Sequence, residues 1–600
     1  MGYSLRALLA LAAAVAFTDS SVTPTGTGQV NNHRQWKRGN RLDPDAIIPL
    51  RIGLVQSNVH LGYEKLMEVS DPSSESFGKH LSEDEVHDLF APARETFDAV
   101  HSWLVESGVN ATDIRQYVNK GWLAIDLPVS HVEDLFLTQY HEHEREGVLK
   151  VGCDQYHVPK HLAKHIDYIV PGVKLSPPMV KRSLERRSGT NHRKADLQDC
   201  ARNFTAICYR ALYQIPATSI PVPGHEPAVY ESGDTFSQED IDSYFHKYAP
   251  YIPKGTHPKI LSIDGGQAPV APDSEFNTGE SDIDIDIIQT LIWPQSMVLY
   301  QVDDPFGITG DSPGVDPSYP DNRPGGYKGQ RLCGAYKPNK VISISYGEGE
   351  IDVPKNYFLR QCNEWLKLGL QGTTVLVSSG DYGAAMPPHE DSASGCLSGS
   401  GQNQTIYNPG NPVSCPYLTA VGAMQTNLGP GAELFASGGG FSNYFPVPDY
   451  QKAAVKSYFA KHDPGHPYYI ANSDASNIGE HGGIYNRAGR GIPDISANGA
   501  HFRAFNNQTD GHWFGTSLAA PLWASVITLI NQERAKIGKG SVGFINPVLY
   551  ANTDALTDIK QGSNPNCGTS GFTAVEGWDP VTGLGTPKYP NLLKLWLKLP

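Results

Sequence analysis

Three short stretches of the 600-residue chain carry side chains spaced for chemistry. The first is "HWFGTSLAAPLWASV" at 512–526, where Gly515 and Thr516 precede Ser517 and an apolar run follows. A serine at a helix start is commonly a cap. The same place also aims backbone N–H groups at an anion beside the hydroxyl, which is what an acyl-transfer nucleophile needs. The second is "GESDIDIDIIQ" at 279–289, four carboxylates interleaved with isoleucine. The third is "VLVSSGDYGAA" at 375–385, an apolar strand running into Ser-Ser-Gly and then Asp381. An acid just past a parallel strand's carboxyl end lies on the edge where such sheets bind ligands, although a turn aspartate is the everyday use of the same pattern.

The second stretch reads differently as strand and as helix. A strand puts all four acids on one face. At 100° per residue, a helix puts Glu280 and Asp284 about 40° apart, on the face of Ile287, Ile288 and Leu291. Asp282 and Asp286 then fall at about 200° and 240°, pointing away. A carboxyl pair one turn apart on an apolar face is costly unless it is protonated or hydrogen-bonded, and it titrates as a unit. Such a pair can act as a base in acid. The competing use is a solvated acidic first turn that complements the helix dipole. A histidine base is disfavoured. "GTH" at 255–257 and "IDGG" at 263–266 stand in the wrong order for a subtilisin-like triad, and "EHGG" at 480–483 lies too near Ser517.

The elements that must position these residues alternate. "KVISISYG", "TTVLVSSGD" and "YLTAVGA" are strand-like, whereas "NYFLRQCNEWLKLGLQG" and "SLAAPLWASVITLINQERAK" are helical. Strand–helix alternation predicts an α/β layer fold with a mostly parallel sheet from about residue 196 to 600. Ahead of it, residues 45–170 read as a compact α+β unit, with a capping box of Ser82 and Glu85 and an amphipathic helix ending at Gly108. Between the two, residues 172–194 are rich in proline, serine and basic residues, with dibasic pairs Lys181-Arg182 and Arg186-Arg187. That segment reads as an exposed linker open to proteolytic processing.

Composition narrows the class. The net charge of −15 lacks the basic footprint of a nucleic-acid binder. Arg6 followed by "ALLALAAAVAF" has signal-peptide proportions, and no later run is long enough to span a membrane. Four N-x-[ST] sequons, at Asn110, Asn203, Asn403 and Asn507, fit an exported glycoprotein. The eight cysteines include no C-x-x-C pair, so disulfides are expected rather than zinc, with the short-loop pairs Cys200–Cys208 and Cys396–Cys415 the natural first choice.

The E-x-x-x-D of Glu280–Asp284, the S-G-D of Asp381 and the G-T-S-x-x-x-P of Gly515–Pro521 occur in an order that resembles the sedolisin family of serine-carboxyl peptidases. "VSDPSSESFGKHLSEDEV" and "YIVPGV" resemble that family's propeptide, and "GIPDISANG" its catalytic domain. The resemblance covers nearly the whole chain. It implies a subtilisin-like catalytic domain at 196–600, a propeptide at 21–180 acting as an intramolecular inhibitor, a processing linker at 181–195 and a signal at 1–20. It implies Ser517 as nucleophile, Glu280 as general base, Asp284 as its orienter and protonated Asp381 as oxyanion donor. A carboxylate base suits acid, where imidazole is protonated.

The resemblance also implies one structural Ca²⁺, matched by "LTDIKQG" and "AVEGWDPVTGLGTP". Its ligands would be the carboxylates of Asp558 and Asp579 and the carbonyls of Ile559, Val575 and Gly577, an all-oxygen set. Val575 stands where relatives often carry glycine. The expected protein is a secreted monomer cutting protein or peptide substrates, with neither membrane nor nucleic acid as partner. "GESDIDIDIIQTLIWPQ" inclines toward the aorsin-like endopeptidase branch. A tripeptidyl-peptidase and an inert binding protein on the same scaffold are the alternatives.

Overall fold

The computed structural model describes residues 14–17, 36–145, 148–173, 200, 203–217, 220–263, 266–302, 336–387, 394–399, 402–425 and 436–600. The linker at 181–195 and, apart from residues 14–17, the signal at 1–20 lie outside the described residues.

The first unit is built on a four-stranded antiparallel sheet. Its strands are β1 (Ile47–Leu54), β2 (Arg115–Gln116), β3 (Trp122–Pro128) and β4 (Ile166–Val170), in the order β2-β3-β1-β4. Ile48, Leu50 and Ile52 of β1 alternate inward and meet Leu123 and Ile125 of β3. Around the sheet are α1 (Gly62–Ser70), α2 (Glu83–Leu89) and α3 (Arg94–Glu106), the last burying Val100 and Leu104. The capping box is present: the Ser82 hydroxyl accepts from the Glu85 amide, and the Glu85 carboxylate accepts from the Ser82 amide.

The second unit holds a seven-stranded sheet. Its strands and flanking helices are β5 (Ala228–Ser232), α4 (Gln238–Tyr248), β6 (Lys259–Ile263), α5 (Glu280–Ile292), β7 (Val298–Val302), β8 (Val341–Ile344), α6 (Lys355–Leu370), β9 (Thr374–Ser378), β10 (Thr419–Met424) and β11 (Ile495–Asn498). The strand order is β6-β7-β5-β8-β9-β10-β11, and every pairing is parallel. A hairpin, β12 (Phe502–Asn506) and β13 (Thr509–Trp513), then leads into α7 (Ala519–Lys536).

The central strands β8 and β9 are buried along their whole length because both faces are covered. Val341 and Leu376 point into the core shared with α5 and α7, whereas the neighbouring Ile342 and Val375 point into the core shared with Phe358 and Cys362 of α6. Helix α7 packs on β8, β9, β10 and β11, and also on α5.

The two units meet through α6. Leu66, Val69, Val86 and Phe90 of the first unit share a core with Leu366, Leu370 and Phe544 of the second. Arg360 of α6 pairs with Asp167, donates to the carbonyls of Leu54 and Gly121, and stacks its guanidinium 4.3 Å from the Trp122 ring centre.

One disulfide expectation needs correction. Cys200–Cys208 forms, but Cys396 joins Cys567 and Cys415 joins Cys362. Short sequence separation is a poor guide once the chain is folded. Cys362 on α6 and Cys415 ahead of β10 are brought to a Cα–Cα distance of 5.6 Å in the core between helix and sheet.

Candidate active site

Gly515, in an extended positive-φ conformation (φ 143°, ψ 165°), turns the chain out of β13 into a 3₁₀ turn at Thr516–Leu518, and α7 continues from it. The Gly515 amide donates to the Gly499 carbonyl at 2.9 Å, tying the turn to the end of β11. Ser517 sits on this turn with 2 % of its surface exposed. Ser517 is not the N-cap residue of either segment: Gly515 caps the turn and Leu518 caps α7.

Asp381 reaches the same turn from the end of β9. The amide and the hydroxyl of Thr516 both donate to Asp381 Oδ1, at 2.7 and 2.8 Å. The Gly380 amide donates to the Thr516 hydroxyl at 3.1 Å. These three bonds lock the strand-end loop against the residue before Ser517.

The helix reading of the acidic stretch holds. α5 opens at Glu280 behind Gly279, whose φ is 95°. The Trp513 ring lies against Gly279, where a Cβ would collide with it. Asp234, on the loop after β5, accepts from the Thr278 amide at 2.7 Å and the Ser281 amide at 2.8 Å, so a carboxylate from another element caps the helix. Burial nevertheless raises the Asp234 carboxyl to about 6. α5 packs against the Thr516–Leu518 turn and against α7. Glu280 and Asp284 therefore stand on the helix that faces the serine turn. Asp284 accepts from the Ser345 hydroxyl at 2.9 and 3.2 Å.

Three further side chains, not singled out by local sequence pattern, complete this acidic core. Glu231 of β5 is fully buried, and Tyr346, just past β8, donates its hydroxyl to Glu231 Oε2. Burial holds the Glu231 carboxyl well above the usual carboxylate range, and the neighbouring Asp284, Asp234 and Glu280 push it further up. Glu231, Ser345 and Tyr346 all lie at the carboxyl ends of parallel strands. Looking for polar residues where "AVYES" and "VISISYG" stop would have found them.

The other face of α5 departs from expectation. Asp282 and Asp286 are not solvated, for all thirteen residues of the helix are buried. Helix α4 and hairpin strand β12 cover that face. Asp282 Oδ1 accepts from the Ser237 amide at 3.0 Å, while Asp282 Oδ2 and both Asp286 oxygens are buried without a hydrogen-bond partner. Burial pushes both carboxyls well above their ordinary value, and nearby charges add to it: Asp240 and Asp234 for Asp282, Asp282 and Asp240 for Asp286.

The residues expected to hold Ca²⁺ lie on two loops stitched together by amides. The Gly577 amide donates to Asp558 Oδ2 at 3.0 Å and the Val575 amide to Asp579 Oδ2 at 3.1 Å. Asp579 is fully buried, and Asp558 Oδ1 is buried without a partner. Asp558 Oδ1 is an acceptor of the kind a hard cation takes, while Lys560 lies 3.8 Å from Oδ2 and no cluster of three or more His, Cys, Asp or Glu able to hold a metal occurs among the described residues.

A subtilisin-like parallel sheet, a buried serine on a G-T-S turn and a carboxyl-lined edge, joined to a separate N-terminal α+β unit, define a serine peptidase with an activation domain. Comparison with known proteins agrees. Residues 34–175 match the pro-kumamolisin activation domain, and residues 325–551 match the subtilase family. The chain is 43% identical over 646 aligned positions to aorsin of Aspergillus oryzae, covering 97% of both proteins. It is 44% identical over 616 positions to tripeptidyl-peptidase sed1 of Aspergillus fumigatus, covering 94% of this chain and 95% of that protein. It is 32% identical over 647 positions to tripeptidyl-peptidase SED1 of Arthroderma otae, covering 94% of each. The chain belongs to the sedolisin family of serine-carboxyl peptidases. The subtilase match begins downstream of α5, so the carboxylate helix lies outside the part shared with subtilases at large.

Proposed function

We propose that this peptidase cleaves peptide bonds with Ser517 as nucleophile, Glu280 as general base, Asp284 as the group that orients Glu280, and Asp381 as oxyanion donor. Ser517 Oγ attacks the scissile carbonyl carbon as Glu280 takes its proton. The carbonyl oxygen gains negative charge between the Ser517 amide and the Asp381 carboxyl, which stabilise it as an oxyanion hole does. Collapse of the tetrahedral species breaks the C–N bond, and Glu280 returns the proton to the leaving amine. Water then repeats the sequence on the acyl-enzyme. A carboxyl donor works only while it holds its proton, which suits acid.

The observation that carries this reading is the pair of hydrogen bonds from Thr516 to Asp381, one residue before Ser517. The test is incubation of the purified precursor at about pH 4. Wild type releases its activation domain and cuts a protein substrate, and Ser517→Ala does neither. If the two behave identically, with no activation domain released and no substrate cut, the assignment falls and an inert binding protein is favoured; if both are active, Ser517 is not the nucleophile.

We take the specificity to be that of an aorsin-like endopeptidase, exported as a monomer, with the activation domain as intramolecular inhibitor cut within 181–195. The 44% identity to tripeptidyl-peptidase sed1 supports the second reading, release of tripeptides from an amino terminus. Mapping the products from one long peptide separates internal cuts from successive tripeptides. Asp558 and Asp579, with the carbonyls of Ile559, Val575 and Gly577, would hold Ca²⁺, which would cross-link the two loops. Chelation is expected to lower the melting temperature, and added Ca²⁺ to restore it.

A further inference from the structure

Thr516 tethers the strand-end loop to the serine turn and, through the pattern of its hydrogen bonds, also sets the state of Asp381. Its hydroxyl accepts from the Gly380 amide at 3.1 Å and lies 2.8 Å from Asp381 Oδ1. A hydroxyl has one proton to give. With the Gly380 N–H already pointing at the oxygen, that proton goes to Asp381. The Thr516 amide supplies a second proton to the same Oδ1 at 2.7 Å. Oδ1 therefore faces two donor hydrogens. A proton on Oδ1 would compete with both of them, so the arrangement favours the proton of a neutral Asp381 on Oδ2.

Oδ2 is the oxygen beside Gly515. A Cβ built on Gly515 would lie 2.9 Å from Oδ2, closer than real Cβ atoms approach. Glycine at 515 keeps that approach clear for another atom, and its φ of 143° is one that few side chains tolerate. Acceptance is thus assigned to the inner oxygen and donation to the outer one.

We infer that Thr516 is a positioning residue for peptide-bond cleavage: its amide and hydroxyl together fix the carboxyl proton of Asp381 on Oδ2, turned toward the substrate's carbonyl oxygen. This rests on the reading of Asp381 as oxyanion donor. Thr516 touches neither substrate nor reacting atoms, so its effect is confined to the step in which charge develops on that oxygen.

The experiment compares Thr516→Val, Thr516→Cys, Thr516→Ser and Asp381→Ala, each full-length precursor matured in trans by tagged wild-type enzyme that is then removed. Losing one oxyanion donor costs about 10²–10³ in kcat, and losing its alignment should cost part of that, about 30-fold for Thr516→Val. KM should stay within about twofold, because the ground state makes no use of the bond. Affinity for a peptide aldehyde, which forms the tetrahedral species, should fall in step with kcat/KM. Thr516→Ser restores kcat to within about threefold of wild type, and Thr516→Cys, with its weak donor, falls between.

Thr516 is fully buried and its replacement disturbs packing, so the folded fraction and melting temperature of each variant are measured alongside. A kcat order of Ser, Cys, Val that holds per folded molecule supports the inference, and an order that merely follows melting temperature overturns it. Wild-type kcat in Thr516→Val with activity lost in Asp381→Ala overturns the inference and leaves the oxyanion reading standing. Full activity in Asp381→Ala overturns both.

Discussion

Helix α5 carries two carboxyl pairs of nearly the same burial, Glu280 with Asp284 and Asp282 with Asp286. Glu280 is 5 % exposed, and Asp282, Asp284 and Asp286 are fully buried. What separates the pairs is what each faces. Asp284 accepts from the Ser345 hydroxyl, Glu280 and Asp284 both lie near Glu231, and their helix packs on the serine turn. Asp282 and Asp286 face α4, where the Ser237 amide meets one oxygen and the nearby charge is Asp240. Burial raises the Asp282 and Asp286 carboxyls, so a raised carboxyl does not by itself mark a catalytic one. A neighbouring nucleophile and an opening toward substrate do. The far pair is then a store of protonation energy: neutral in acid, it favours the folded state, and ionised, it opposes it.

The sharpest way to break this comparison is to neutralise one member of each pair. If Asp284 orients the base as proposed, Asp284→Asn should lower kcat about 10³-fold with little change in KM. Asp286→Asn in parallel should leave kcat within about twofold. Equal losses in the two variants would collapse the distinction between the faces.

Moving the near pair without changing its chemistry should cost somewhat less. Gly279→Ala drives a methyl into the Trp513 ring at a φ of 95°, displacing the start of α5. Misplacement by about 1 Å typically costs about 10²-fold in rate, so kcat should fall by that order while the far face keeps its packing. Trp513→Ala in the same background should recover part of the loss, since it removes the obstacle. Failure to recover would mean the backbone strain alone is responsible.

The same burial logic acts with opposite sign on a base at the interface between the units. His80 of the activation domain fits between Gly372 and Gly543, where a Cβ at either position would strike its ring. Its Nε2 is buried without a partner, and burial, with Lys340 and Arg534 nearby, lowers it from 6.5 to about 4. The docked state therefore resists the proton. Docking strength is fully present above 6.5 and is lost as pH falls toward about 4. Allowing for the residual exposure of the ring, the loss is on the order of 2 kcal/mol. His80→Gln should flatten the pH dependence of activation-domain release, measured by size-exclusion chromatography after cleavage. An unchanged midpoint would put the trigger elsewhere.

The smallest effect belongs to the far pair itself. Asp286 has a raised folded-state value, so its contribution is complete below the unfolded value of 3.8 and is lost as pH rises through the folded one. Asp286→Asn removes that penalty. The mature enzyme's melting temperature should rise by a few degrees at pH 7, at about 2–4 °C per kcal/mol, and stay level at pH 3. A gain at both values would point to packing rather than ionisation. Together with His80, this makes acid firm the catalytic unit while loosening its inhibitor.

Local pattern carried a good part of the fold. Ser82 and Glu85 sit three residues apart ahead of an apolar run, and that spacing alone sets their reciprocal bonds. The continuous apolar runs of β8, β9 and β10 announce a parallel sheet buried on both faces, and Asp381 at a strand end announces its edge. The angle count on α5 correctly joined Glu280 with Asp284. It went wrong for Asp282 and Asp286 because it tells which residues share a face and nothing about what covers that face. Glu231 and Tyr346 escaped notice for a related reason: 115 residues separate them, and neither has a local partner.

By itself, then, the order of residues determined the elements, the motif-bearing turns and the chemical types available at the strand ends, since those depend on neighbours within a few positions. Only the tertiary structure decided that Cys396 joins Cys567 across 171 residues, that α4 seals the second acid pair, and that Thr516 meets one oxygen of Asp381 and not the other. Those outcomes depend on which distant surfaces come together, and a buried carboxyl takes its protonation from that surrounding and not from its neighbours in the chain.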